Sequence, residues 1–368
     1  MIRSLFLSSF RNLHEGRWEF GDGITVVCGK NGTGKTSLLE AVHLLSEGFS
    51  FRTRTLSDLL GWNADEMVVR GEFVASAESK RHFEHALLLN RFRGMSVKKN
   101  GAPCKSPAAF FGEMPAVIMQ PADIDMVRGA PENRRRYLDE LLCFKNSRNA
   151  DLLRRYRRIL AERNQWLRQN KMGKAIGGEE LYTVLTGQLM DLAAKIWMER
   201  ISLVQEISLG IARYYEMLAG KEDEIFVSYK SSVFDFSQEM DFSEEKLRLA
   251  FAYKLDSLDL TERMQGMTLA GPHKDDLILA LHGHDMRTSG SQGQCRSAAV
   301  ALRFVAADLA GEHLMKPILL LDDIFAELDK NRRAAVASVI REKKCQVLVA
   351  TPRAEDLPFE ADAKWEMQ

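Results

Sequence analysis

The sequence predicts an α/β protein: a head built on a mixed sheet, interrupted by an all-helical lobe. Three observations point to it. A glycine-rich turn, Gly29-Lys30-Asn31-Gly32-Thr33-Gly34-Lys35-Thr36, joins the apolar strand 24–28 to a helix opening at 37–42. From 132 to about 219 the chain reads as nearly continuous helix. Beyond it, short apolar strands alternate with helices again, and the run 318–321 ends in two carboxylates, Asp322 and Asp323. The expected division is a head in two halves, 1–130 and 262–368, around a lobe at 131–261.

Residues 2–8 alternate polar and apolar and predict a strand, with a loop at 10–13 and a partner strand at 18–20. Segments 67–75 and 82–90 alternate again and suggest antiparallel strands, and Lys99-Asn100-Gly101 predicts a hairpin turn. Residues 117–119 form a short apolar strand stopped by Pro121. In the lobe, Leu152, Leu153, Tyr156, Ile159, Leu160 and Leu167 share one helix face. A turn at 171–178 leads into a long apolar-periodic stretch, 181–218, softly broken at Gly187 and Gly210, which makes an antiparallel helical hairpin. A strand at 225–229 and a helix at 244–258 follow. The last third reads as strand 276–281, helix 294–314, strand 318–321, helix 330–340 and a final strand at 347–349. No internal repeat or low-complexity segment appears.

At 368 residues the chain suits two domains. Its 45% hydrophobic and 28% charged residues are ordinary for a globular protein. Lys+Arg and Asp+Glu are 51 each, so only local patches, not bulk charge, can argue for a nucleic-acid partner. Five scattered cysteines with no C-x-x-C pair argue against zinc and a disulfide framework, and suit a reducing, cytoplasmic setting. No apolar run approaches the roughly 18 residues of a membrane span, so no membrane partner is expected.

The glycine-rich turn fits the phosphate-loop pattern G-x-x-x-x-G-K-[ST] without mismatch. Backbone N–H groups of such a loop and the positive end of its helix face phosphates. Lys35 should reach the terminal phosphates of ATP, and the Thr36 hydroxyl should hold Mg2+. A buried strand ending in an acid supplies the second metal-binding element, so Asp322 is assigned to Mg2+, directly or through water. Asp323 would orient or deprotonate the attacking water. Ser289-Gly290-Ser291-Gln292-Gly293-Gln294-Cys295-Arg296 resembles the ABC signature, in which Ser291, Gly293 and Gln294 at a helix start would meet the γ-phosphate of a second subunit. An ordinary helix cap at Ser291 is the alternative. Glu327-Leu328-Asp329 matches a turn that crosses the dimer interface in ABC-type ATPases, and Thr351 stands where many carry a γ-phosphate-sensing histidine. Gln120, after a strand end, would touch Mg2+ and link the two lobes through a connector at 122–130, bracketed by Pro121 and Pro131.

With these pieces together the chain resembles the RecF family of bacterial recombination-mediator ATPases, of the ABC/SMC-like class, over nearly its whole length. The more specific stretches are 271–277 (Gly-Pro-His-Lys-Asp-Asp-Leu), 291–296, 321–329, 131–139 and Phe51-Arg52-Thr53. Three departures stand out: Lys274 where arginine is usual, Cys295 in place of a usual glutamine, and Gln120 in place of commoner residues. The resemblance implies an ABC-type ATPase head with a short helical lobe. It also implies an ATP-dependent homodimer on single-stranded and gapped duplex DNA, with weak DNA-stimulated hydrolysis that ends the bound state. Cooperation with RecO and RecR in loading RecA would follow.

A DNA surface needs local positive charge. Residues 148–174 carry nine basic side chains (Arg148, Arg154, Arg155, Arg157, Arg158, Arg163, Arg168, Lys171, Lys174) against Asp151 and Glu162, a net of +7. Arg134–Arg136 are a second candidate, and a solvated helix face is the plainer alternative. No base-reading motif appears, so recognition of DNA structure rather than sequence is expected. His273 is expected to pack structurally, between lobes or onto Asp275. The competing functions are an ABC ATPase coupled to another partner such as a transporter, and a phosphoryl-transferring kinase. The basic lobe and the 271–277 motif disfavour the first; a kinase leaves the signature loop and the 327–329 turn without a role.

Overall fold

In the computed structural model, the strands expected in one mixed sheet divide among three sheets. The structure describes residues 1–75, 81–105, 109–110, 113–174, 176–220, 223–235, 242–311 and 315–367. The chain forms two compact units, one of Met1–Ile124, Met217–Gly220 and Arg296–Gln368, the other of Asp125–Glu216 and Lys221–Cys295. The return to the first unit therefore comes at 296 rather than 262.

In the first unit, an antiparallel sheet runs in the order Leu13–Glu19, Ile2–Phe10, Glu66–Val74, His82–Asn90, Gly94–Lys99, Ala102–Cys104. Alternate residues of His82–Asn90 are buried, as expected of a strand with one face on a core. A second sheet is parallel throughout, in the order Ala363–Met367, Ile24–Gly29, Val347–Thr351, Ile318–Asp322, Ala116–Met119. Its inner strands are buried along nearly their whole length, which is why they read as unbroken apolar runs. The edge strand Ala363–Met367 was not foreseen, because Lys364 and Glu366 break its apolar pattern.

The helix Lys35–Glu47 packs against strands of both sheets, and every residue in it except Thr36 is buried. Leu38, Leu39, Val42 and Leu45 join one core with Leu5 and Phe73 of the antiparallel sheet and Leu320 and Leu348 of the parallel one. The buried polar residues of this helix are largely satisfied. Glu47 accepts from the Ala116 N–H at 2.8 Å, and His43 Nδ1 lies 3.0 Å from the Phe49 carbonyl.

The second unit is mostly helical, with helices Pro131–Lys145, Arg148–Lys171 and Glu244–Gln265 and most of Gly178–Ala219. The last runs unbroken for 42 residues, so Gly187 and Gly210 do not interrupt it. At 1.5 Å per residue it is about 63 Å long. This unit is not purely helical: Ile225–Lys230 pairs antiparallel with Asp276–Leu281, and His284–Asp285 completes a three-stranded sheet. The helix expected at 294–314 begins at Gln292; its expected last three residues lie outside the described residues, as does residue 175 of the turn 171–178.

A candidate nucleotide site at the carboxyl edge of the parallel sheet

The parallel register brings the sequence-predicted residues of the head to one edge. Cys28 pairs with Thr351, Ala350 with Asp322, and Leu321 with Met119. The loop starting at Gly29, the carboxylates at 322–323, Thr351 and Gln120 thus all follow the carboxyl ends of neighbouring strands. Open α/β sheets bind ligands in the crevice there.

The glycines of the loop are needed for its shape. Gly29, Gly32 and Gly34 have φ of +149°, +86° and +102°, which side chains disfavour. A Cβ on Gly29 would sit 2.3 Å from the Met367 carbonyl oxygen, and one on Gly34 would sit 2.4 Å from Leu13 Cδ2. Lys35 Nζ donates to the carbonyls of Gly29 at 2.7 Å and Lys30 at 2.8 Å, using two of its three donors. Thr33 Oγ1 donates to the Lys30 carbonyl, while Asn31 is exposed at the tip.

Thr36 Oγ1 donates to Asp322 Oδ1 at 2.9 Å, so the two expected metal-binding groups already meet. Burial pushes the Asp322 carboxyl up, and the neighbouring Asp323 charge adds to this, while the Thr36 bond opposes it. Asp323 also lies high, first through burial and then through Glu327, against the pull of Lys35. Its φ of +53° is left-handed for a residue with a side chain. Asp323 Oδ1 is buried without a hydrogen-bond partner among the described residues. A buried carboxylate oxygen in a strained backbone, left free beside a Thr–Asp pair, is donor chemistry that fits a hard divalent cation or a water molecule. No group of three or more metal-ligating residues occurs among the described residues.

Gln120 is half-buried beside a small pocket lined also by Arg296 and Glu327, which pair at 2.9 Å. Thr351 Oγ1 donates to the Arg353 carbonyl at 3.2 Å, so that hydroxyl is engaged within its own turn.

Sequence reasoning missed the buttress beneath the loop. Asn12 Nδ2 donates to the Gly32 carbonyl at 2.7 Å, and its Oδ1 accepts from Ser37 at 2.9 Å. Arg11 meets the fully buried Glu40 through Nε at 2.9 Å and Nη2 at 2.6 Å, and Arg52 adds a bond at 3.1 Å. The signals were two polar residues, Arg11 and Asn12, between apolar strand ends, and Arg52 within the stretch Phe51-Arg52-Thr53; neither names Glu40 as the partner.

The signature belongs to the second unit up to Cys295. Ser291 and Gln294 form a reciprocal cap: the Gln294 N–H donates to Ser291 Oγ at 3.2 Å, and the Ser291 N–H donates to Gln294 Oε1 at 2.9 Å. Ser291 is exposed and Gly293 half-buried, so this helix start is capped and still faces outward.

The profile of the RecF/RecN/SMC N-terminal domain family matches residues 1–363. The DNA replication and repair protein RecF of Geobacter metallireducens is 33% identical over 351 residues, 95% of this chain and 92% of that protein. The chain belongs to the RecF family. RecF of Halothermothrix orenii is 32% identical over 95% of the chain and 92% of its own length. A solved RecF–ATP structure, described as a recombination mediator in the RecFOR pathway, matches the whole chain and 95% of its own with a TM-score of 0.89 at 28% identity. The Smc head of Pyrococcus furiosus, at TM-score 0.57 and 16% identity, shares the fold. The RecF relationship and these folds establish the ABC-type ATPase head.

Two expectations for the helical unit of this RecF-family chain need correction. Arg163 is not a surface charge: it is fully buried, paired with Glu262 at 2.8 Å and bonded to Thr268, Tyr182 and Thr186. A buried cation needs such partners. Arg154, Arg157 and Arg158 pair with Asp151, Asp139 and Glu162, leaving Arg148, Arg155, Arg168, Lys171 and Lys174 as exposed cations without an ion pair among the described residues. His273 does not bond to Asp275; its Nδ1 meets the Tyr156 hydroxyl at 2.7 Å and its Nε2 the Thr268 carbonyl at 3.3 Å. Asp275 instead accepts from Trp197 Nε1, the Tyr229 hydroxyl and Ser232.

Proposed function

We propose that this chain is an ATP-driven DNA-binding switch, in which two copies close over two ATP molecules and open when these are hydrolysed. The observation that carries the reading is the Thr36–Asp322 bond at the mouth of a loop whose glycines hold backbone angles that side chains disfavour. Lys35 and the loop N–H groups from Gly29 to Thr36 would hold the phosphates. Thr36 and Asp322 would hold Mg2+, which neutralises charge on the β- and γ-phosphate oxygens. Asp323, with a free buried oxygen and a raised affinity for protons, would take the proton of the attacking water. Gln120 would complete the metal side of the pocket. Ser291, Gly293 and Gln294 of the second copy would supply the γ-phosphate contact that makes closure depend on ATP.

The solved RecF–ATP structure and the relatives' repair role support ATP and DNA as partners. We extend this to single-stranded and gapped duplex DNA, to slow DNA-stimulated hydrolysis, and to work with RecO and RecR in loading RecA. Among the described residues, no helix is long and apolar enough to cross a membrane. The test is light scattering with and without ATP: the wild-type chain should double in mass with ATP, and Lys35→Arg should not. Unchanged mass in the wild type with ATP would refute the switch.

A further inference from the structure

In the chain, a short helix, Asp125–Arg128, opens the second unit, and no chemistry is assigned to it above. Its last residue reaches the signature loop. Arg128 Nη2 donates to the Gly290 carbonyl at 2.5 Å, and Nε lies 3.3 Å from Cys295 Sγ. The Gly290 carbonyl and the Ser291 N–H are two ends of one planar peptide group. Arg128 holds one end of that plane, and Gln294 Oε1 holds the other at 2.9 Å. The peptide that presents Ser291 therefore cannot rotate without breaking both bonds.

The surroundings tighten this further. Gly290 is buried, and a Cβ there would lie 2.8 Å from Cys295 Sγ and 2.8 Å from the Met286 carbonyl oxygen. The Gly290 N–H donates to that same Met286 carbonyl at 3.1 Å. Cys295 itself is fully buried, with Sγ 3.7 Å from the Met286 oxygen. One guanidinium thus ties together the residue before Ser291 and the first buried residue of the helix that follows.

We propose that Arg128 is the positioning residue of the signature: it fixes the Gly290–Ser291 peptide so that Ser291 and Gly293 meet a triphosphate held by a second copy of the chain. This rests on the shared-site reading above. On this proposal Arg128 acts through Ser291, in a compact unit other than the one that carries the phosphate loop. Its loss should therefore leave ATP binding by a single copy intact and weaken closure. A hydrogen bond to a charged donor contributes about 1.5–3 kcal/mol. Arg128→Ala should then raise the dissociation constant of the ATP-bound dimer by roughly tenfold or more and lower kcat with it. Arg128→Lys keeps the charge but loses the planar fork that spans the two partners, so it should recover part of the loss.

The decisive experiment mixes two impaired forms and compares their ATPase activity with that of each alone. Lys35→Ala lacks its own phosphate grip but keeps a sound signature; Arg128→Ala has the reverse defect. Mixed in equal amounts with ATP and gapped duplex, they form one sound composite site per heterodimer, and ATPase activity should reappear. Ser291→Arg mixed with Lys35→Ala is the parallel control. Restored activity in both mixtures, with Arg128→Ala binding a fluorescent ATP analogue at wild-type affinity as a monomer, supports the proposal. Activity restored only with Ser291→Arg would mean that Arg128 acts within its own subunit, and would overturn it. So would wild-type dimerisation by Arg128→Ala alone. Activity in neither mixture would overturn the shared site itself, and this assignment with it.

Discussion

Asp323 combines three properties that rarely coincide in a structural residue: a left-handed backbone, a buried oxygen without a partner, and a carboxyl that holds its proton more tightly than usual. A general base needs the last of these, because its affinity for protons must approach the working pH. Asp323→Asn should therefore retain ATP binding and closure while kcat falls on the order of 10²- to 10⁴-fold, the range of general-base loss. Single-turnover hydrolysis reads this directly; an undiminished rate would leave Asp323 as a strand-end residue. Histidines give a separate prediction for stability. Burial depresses His43 and His273 from the usual 6.5 to about 4, so both stay neutral in the fold while the unfolded chain can protonate them. Their contribution is complete above about 6.5 and is lost as the pH falls towards 4. Urea midpoints should drop across that window, and His43→Gln should flatten the drop; an equal slope in the variant would contradict it.

At the level of elements, the helix Lys35–Glu47 couples the phosphate loop to both sheets. Leu38→Ala, which empties a fully buried position, should cost roughly 2–5 kcal/mol of stability in denaturant titration. Gly34→Ala should spare the far-UV dichroism and abolish ATP binding, since the loop needs a φ of +102° there, which a side chain disfavours. The helix Arg148–Lys171 carries the DNA prediction in revised form. Charge reversal at Arg155, Arg168 and Lys171, which lack ion pairs among the described residues, should lower affinity for gapped duplex. It should also flatten the salt dependence by about one unit for each phosphate left unneutralised. Reversal at Arg154, already neutralised by Asp151, should do less. Unchanged salt slopes in both would place the DNA surface elsewhere.

Much of this was legible in the residues. The phosphate loop, the acid-ending strand and the signature each need particular side chains at fixed spacing, so local sequence carries them. The division into three sheets was not legible, because an apolar strand reads the same whichever neighbour it pairs with. Asp276–Leu281 read plainly as a strand, yet its partner, Ile225–Lys230, is separated from it by the helix Glu244–Gln265, and only pairing joins the two in one sheet. Arg163 illustrates the same limit at one position: charge is visible in sequence, whereas Glu262, its buried partner, is 99 residues away.

For the molecule as a whole, the phosphate loop at Gly29–Thr36 and the signature at Ser291–Gln294 fall in different compact units of one chain. The shared site proposed above would use them from different copies. The most direct measurement places single cysteines at Asn31→Cys and Gln292→Cys, both exposed, in a background cleared of other reactive thiols, and adds a short bismaleimide. A band of twice the mass should form with ATP and Mg2+, fade as hydrolysis proceeds, and vanish with Lys35→Ala. If the band forms equally without nucleotide, or never forms with it, two copies do not close over ATP.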